Sequence, residues 1–191
     1  MEQHNVAIFI EAKTKRLTVE AKVEGISMEP MSAELDKMAS MIIQVYKCIR
    51  DYREGYYPGF AFSESRQIYP MVVTLEDWFL IGPRVKTELE TKTYERMKAE
   101  GIPPEWLTKF PYTVCSIQDF EQAVQVMDEI GIDRVMRGKA FDSAKQEWDM
   151  GAYLKDSFKQ EIASTRFLFE SEYNLLVPDT LSRQKSPSQS R

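Results

Sequence analysis

An α/β fold, a small mixed sheet flanked by helices with a helix-rich C-terminal half, is predicted by three observations. Two apolar runs, Val6 to Ile10 and Tyr69 to Leu75, have the length and β-branched content of buried strands. Segments of helical period separate and follow them, the cleanest running from Ser116 to Gly131. The order strand, strand, helix, strand, helices, strand, helices is that of a sheet with helices packed on it. With 191 residues, 43% of them hydrophobic, the chain can bury one core of its own. It is read as a single domain over 1–181 followed by a tail.

The elements follow in order. Val6 to Ile10 carries five consecutive apolar residues, so a fully buried strand is expected there, with Leu17 to Ala21 as a second strand. Gly25 to Pro30 breaks the pattern, and Ser32 is placed to cap a helix. Leu35, Met38, Ala39, Ile42, Tyr46 and Ile49 form one broad apolar stripe along it, which Gly55 and Pro58 close. A loop over 58–65 leads to the buried strand 69–75. Thr74-Leu-Glu-Asp77 has the spacing of a capping box and predicts a short helix stopped by Gly82-Pro83. Arg84 to Glu100, charged with mixed sign, predicts a solvated helix ended by Gly101 and Pro103-Pro104. Tyr112 to Cys115 fits a short strand.

Ser116 with Asp119 then boxes the start of a helix whose apolar face is Phe120, Ala123, Val124, Met127 and Ile130, with Gly131 as its cap. More helix follows, with Trp148, Tyr153, Leu154 and Phe158 as core candidates. Residues 182–191 are Ser/Gln/Pro-rich and basic, the composition of a disordered tail.

Composition excludes several function classes. The net charge of −5, from 25 basic and 30 acidic side chains, gives no overall pull toward nucleic acid or an anionic membrane, so any such role needs a local patch. His4 is the one histidine, which leaves no histidine triad and no histidine-rich zinc site. Neither Gly82 nor Gly138 has the spacing of a phosphate loop. Cys48 and Cys115 read as buried free thiols of an intracellular chain. The N-terminal apolar run is too short to cross a bilayer and lacks signal-peptide flanks, so the expectation is a soluble, cytoplasmic protein. Trp78, Phe79, Trp106 and Trp148 are assigned to packing rather than to base stacking.

Chemistry concentrates at the end of the first strand. Period 2 puts Glu11 and Lys13 on one face beyond the apolar run, where a carboxylate and an ammonium can share a divalent metal and a water. Glu-x-Lys recurs as Glu20-Ala-Lys22 and Glu90-Thr-Lys92, but only Glu11 follows five apolar residues. Against this stands the plain alternative of a surface ion pair worth at most about 1 kcal/mol.

Ile8-Phe-Ile-Glu-Ala-Lys13, with a second strand and a long helix after it, resembles the Glu-x-Lys half of the PD-(D/E)XK restriction-endonuclease-like superfamily. The resemblance covers about the first quarter of the chain and implies a restriction-endonuclease-like core that cuts DNA phosphodiester bonds with Mg²⁺ or Mn²⁺. It makes Glu11 a catalytic metal ligand, the carbonyl of Ala12 a second ligand, and Lys13 the catalytic lysine. Lys15 and Arg16 fall where phosphates approach. From the long helix, Gln44, Tyr46 and Lys47 are the polar residues; the Gln-x-x-x-Tyr form of one branch is absent because Cys48 holds the tyrosine position.

The departure is upstream. The pattern needs an aspartate on a preceding strand, whereas no Asp precedes Glu11, and Met1 to Asn5 is too short for that strand and turn. Three readings stand: a nuclease cut short at its N-terminus, an aspartate supplied by a second copy or partner chain, or a non-catalytic interaction module on the same fold that binds a protein partner or nucleic acid. The first is preferred. An exposed strand edge, or pairing of two copies there, is a further expectation.

Overall fold

A computed structural model describes residues 2–3, 5–14, 18, 28–78, 80 and 82–168. Lys15, Arg16, Gly25, Phe79, the 182–191 tail and, apart from Thr18, the strand expected at Leu17 to Ala21 lie outside the described residues. The elements are β1 (Glu2–Gln3), β2 (Val6–Lys13), α1 (Met28–Arg53), β3 (Gln67–Thr74), α2 (Pro83–Ala99), α3 (Trp106–Lys109), β4 (Thr113–Ser116), α4 (Ile117–Ile130), α5 (Ile132–Phe141), α6 (Met150–Ser157) and α7 (Lys159–Ser164). The fold is mixed α/β. None of the described helices is long and apolar enough to cross a membrane.

The sheet has the order β1-β2-β3-β4, with β2, β3 and β4 parallel and β1 antiparallel to β2. Glu2 and Gln3 pair with Ala7 and Val6, and Asn5 turns the chain at φ 60, a conformation Asn tolerates better than most residues. Five residues were thus enough for a short antiparallel strand and its turn, contrary to expectation. β2 runs beside β3 from Val6–Gln67 to Lys13–Thr74, and β4 joins β3 only from Met71–Thr113 onward. Pro70 therefore lies where, among the described residues, β3 has β2 as its one strand neighbour, which is how a central strand tolerates a residue with no N–H.

Helices cover both faces, and the period of β3 sorts its side chains between them. Ile68 and Val72 pack with α1, α2 and α3; Tyr69, Met71 and Val73 pack with α4, α5 and α6. Both crossovers, β2 to β3 and β3 to β4, lay their helices on the first face, as two crossovers of one hand stepping the same way must. Burial of the α1 stripe is complete: Leu35, Met38, Ala39, Ile42, Tyr46 and Ile49 are each 0% exposed. Each large member contributes on the order of 1.5–3 kcal/mol. Tyr46 also donates its hydroxyl to the Phe110 carbonyl at 2.6 Å, which satisfies its one buried polar atom.

Several expectations are corrected. α1 opens at Met28, so Ser32 is not its cap; Pro30 is accommodated because the first helical turn needs no intrahelical N–H. The helix expected after Thr74 is absent among the described residues. Thr74 ends β3 instead, its hydroxyl donating to the carbonyls of Glu76 and Cys115, and Pro83 opens α2 rather than stopping a helix. α2 is not solvated all round, since Leu89, Thr93 and Met97 are buried. Only the first half of the apolar run is buried: Val6, Ala7 and Ile8 are, whereas Ile10 is 38% exposed, because α4–α7 cover the sheet short of its far end. Trp148 is 40% exposed, Val126 rather than Val124 is the buried valine of α4, and Cys48 is half-buried while Cys115 is buried. Neither cysteine is in a disulfide.

Candidate functional site

β2 delivers Glu11 and Lys13 to the carboxyl end of the parallel strands, on the face that Phe9 shares with α1. The two side chains are joined to each other: the Lys13 ammonium contacts the Glu11 carboxylate directly, with exposures of 41% and 23%. The pair is thus partly screened from water, and each charge already has one partner. Ala12 lies between them, exposed, and pairs in register with Val73.

The polar residues of α1 are not gathered at this pair. Phe9 meets Tyr52 at 5.3 Å between ring centres, which sets the helix against the strand near its C-terminal end. Tyr46 turns to Phe110, Lys47 pairs with Glu100 at 2.9 Å, and Gln44 is exposed. Among the described residues no group of three or more His, Cys, Asp or Glu side chains is arranged to hold a metal ion. Glu11, tied to Lys13, does not by itself fit a Mg²⁺ site, which needs further oxygen ligands in near-octahedral geometry.

A second arrangement lies along the same end of the sheet. Lys13, Thr74 and Ser116 are successive partners across β2, β3 and β4, so Ser116 is two strand spacings, about 10 Å, from Lys13. Ser116 borders a cavity of about 930 Å³ between β4, α2 and the α5–α6 segment. Asp77, Asp119 and Asp149 line it together with Lys139 and Thr113. Burial holds the Asp119 carboxyl above the usual range and the neighbouring Asp77 and Asp149 add to this, while the Ser116 hydroxyl opposes it. Asp149 caps α6, its Oδ1 accepting from the Ala152 N–H at 2.6 Å. Gly151 leaves room for Asp119 there: a Cβ at that position would stand 2.5 Å from Asp119 Oδ1.

Lys139 is the least expected member. Its ammonium donates to the Gln146 carbonyl at 2.8 Å, and burial pulls its pKa down to about 8 despite the opposing charge of Asp149. The signal was present in the sequence: Ile132, Val135, Met136, Lys139 and Ala140 share one helical face, and all are buried. Asp119 was legible only as a capping-box residue, and nothing local ties it to Asp77 or Asp149. Of the residues singled out from the sequence, Glu11 and Lys13 are brought together, and Lys15 and Arg16 lie outside the described residues. Comparisons with protein-family models, with curated proteins and with solved structures find no match.

Proposed function

We propose that the protein is nuclease-like, engaging DNA phosphodiester bonds through Glu11 and Lys13 on a restriction-endonuclease-like half core. The observation that carries this reading is the pair itself, held at the carboxyl end of β2 between a short antiparallel strand and a helical crossover to a parallel one. In that setting the Lys13 ammonium, released from Glu11, is placed to hold a phosphate and stabilise charge developing on it. Hydrolysis with Mg²⁺ or Mn²⁺ requires oxygen ligands beyond Glu11 and the Ala12 carbonyl, supplied from outside the described residues or by a second copy or partner chain. Lys15 and Arg16 follow Lys13 in the sequence and add two basic charges to the same segment. A cytoplasmic location fits the two cysteines, which form no disulfide.

One feature favours a second reading, a non-catalytic interaction module on the same fold. Glu11 and Lys13 satisfy each other, so the pair is stable without a substrate.

Supercoiled DNA with Mg²⁺ or Mn²⁺ separates the two. Nicking that is abolished by Glu11→Ala and by Lys13→Ala supports the nuclease reading. Salt-sensitive DNA binding without nicking, lost in Lys13→Ala alone, supports the module. Neither binding nor nicking would overturn the nucleic-acid assignment.

A further inference from the structure

We propose that a small basic cavity at the amino end of β3, with the aromatic loop beside it, binds a nucleotide, the phosphate in the cavity and the base on the rings of the loop. This does not rest on the phosphodiester reading, since the cavity and the Glu11–Lys13 pair use different residues. The two lie the length of β3 apart, about 23 Å at roughly 3.3 Å per residue.

Position and size come first. The cavity, about 120 Å³, lies where the end of α1, the loop after it, the start of β3 and the end of α3 meet. That is the space of about four waters at roughly 30 Å³ each, room for a tetrahedral oxyanion and too little for a base and sugar as well.

Charge decides the class of ligand. Arg53, Arg66 and Lys109 line the cavity against one carboxylate, Glu64. Neutral rings hold the three cations in place: Arg53 lies 4.5 Å from the Phe62 ring centre and 5.4 Å from that of Trp106, Arg66 5.8 Å from Tyr52, and Lys109 5.3 Å from Phe110. A ring fixes a cation without cancelling its charge, as a carboxylate does. Among the described residues Lys109 has no carboxylate partner. Glu64 meets Arg53 at 3.2 Å, but its side chain is 72% exposed, and so open an ion pair contributes little. An anion between the three cations is therefore favoured, and a cation is repelled.

The loop over 54–66 supplies the independent observation. Its backbone is ordered by its own bonds, Tyr56 N–H to the Asp51 carbonyl at 2.9 Å and Phe60 N–H to the Tyr57 carbonyl at 3.1 Å, with Gly55 and Gly59 turning it at φ 81 and 88. Tyr56 and Phe60 are nonetheless 69% and 57% exposed. The same loop is tied to the cavity: Phe62 and Ser65 line it, and Arg66 donates to the Tyr52 hydroxyl, which donates to the Ala61 carbonyl. Exposed rings beside a phosphate-sized basic cavity match a ligand that joins a phosphate to a flat base, since every base offers a π face to stack.

The test titrates adenosine monophosphate, adenosine and inorganic phosphate into the full chain, read by calorimetry and by NMR shifts. Adenosine monophosphate is expected to bind at least about tenfold tighter than either of the others, a difference of about 1.4 kcal/mol. Its shifts should map to the amides of Phe62, Gln67 and Lys109 and to the rings of Tyr56 and Phe60. Lys109→Gln, at an exposed position, should weaken adenosine monophosphate and phosphate severalfold. The double variant Tyr56→Ser/Phe60→Ser should weaken adenosine monophosphate severalfold and leave phosphate unchanged, with folding of both variants checked by the amide spectrum. A ten-residue deoxyadenylate strand that displaces adenosine monophosphate from these shifts assigns the site to nucleotides of a single strand; one that does not assigns it to free nucleotides. Adenosine or phosphate binding as tightly as adenosine monophosphate, shifts confined to other regions, or affinity unchanged in either variant would overturn the proposal. Absence of adenosine monophosphate binding at millimolar concentration would do so as well.

Discussion

Lys139 carries a cost that depends on pH. Its pKa is pulled from the ordinary 10.5 down to about 8 by burial, so between those values the unfolded chain binds a proton that the folded chain has released. Unfolding free energy from this group therefore rises with pH through that window, and the penalty of a buried ammonium is present in full below it. Lys139→Met is expected to lose this term. In urea melts, the stability of the variant relative to the parent should fall as pH rises from below 8 to about 10; a constant difference would mean that Lys139 is no more buried than the unfolded reference. Two isoleucines of one strand make a second contrast. Ile8 is 5% and Ile10 38% exposed on the same face of β2, so Ile8→Ala should cost on the order of 2–5 kcal/mol and Ile10→Ala well under half as much. Equal costs would show that Ile10 is covered. The run Val6 to Ile10 identifies the strand but cannot show where its cover stops, because the cover comes from α4–α7, more than a hundred residues away.

At the scale of elements, local signals worked where the element carries its own instructions. Ser116 accepts from the Asp119 N–H at 3.1 Å as the N-cap of α4, and the Met127 carbonyl accepts from Gly131 at its end, where φ is 96. Thr74-Leu-Glu-Asp77 has the same spacing and no helix, because Thr74 is pinned at the end of β3 by the Cys115 carbonyl of the adjoining strand. A box is a local preference worth about 1 kcal/mol, which a neighbouring strand can override. The α5–α6 contact is more demanding. Tyr153 is 1% exposed, its hydroxyl donates to the Val135 carbonyl at 2.7 Å, and a Cβ at Gly138 would stand 2.5 Å from that hydroxyl. Gly138→Ala favours helix locally yet is expected to destabilise the protein by about 1–3 kcal/mol, seen as a lower urea midpoint with an unchanged slope. A gain in stability would mean that Tyr153 can move aside without cost.

For the whole molecule, β3 is the shared element. One of its faces belongs to the core under α1–α3 and the other to the core under α4–α6, so neither helical layer keeps its core without the sheet. A single cooperative transition is the expected outcome, with far-ultraviolet dichroism and tryptophan fluorescence coinciding in urea. Two separated transitions would show that the layers fold as independent units. The aromatic probes report on both sides, since Trp78 and Trp106 belong to the first core and Trp148 sits beside the second.

The amino-acid sequence by itself determined the periodic part of this protein: strands at Val6 and Tyr69, the α1 stripe, the cap of α4, and Glu11 and Lys13 on one strand face. Those features depend on residues within a few positions of one another, where the periods 2 and 3.6 govern. Tertiary structure decided which halves of strands are covered, that Thr74 ends β3 instead of opening a helix, and that Glu11 and Lys13 engage each other at the sheet's end. It also brought Asp77, Thr113, Asp119, Lys139 and Asp149 around one cavity. These residues are spread over positions 77 to 149 of the chain, and their electrostatics arise only when the sheet and the two helical layers close, since proximity without sequence adjacency leaves no periodic trace.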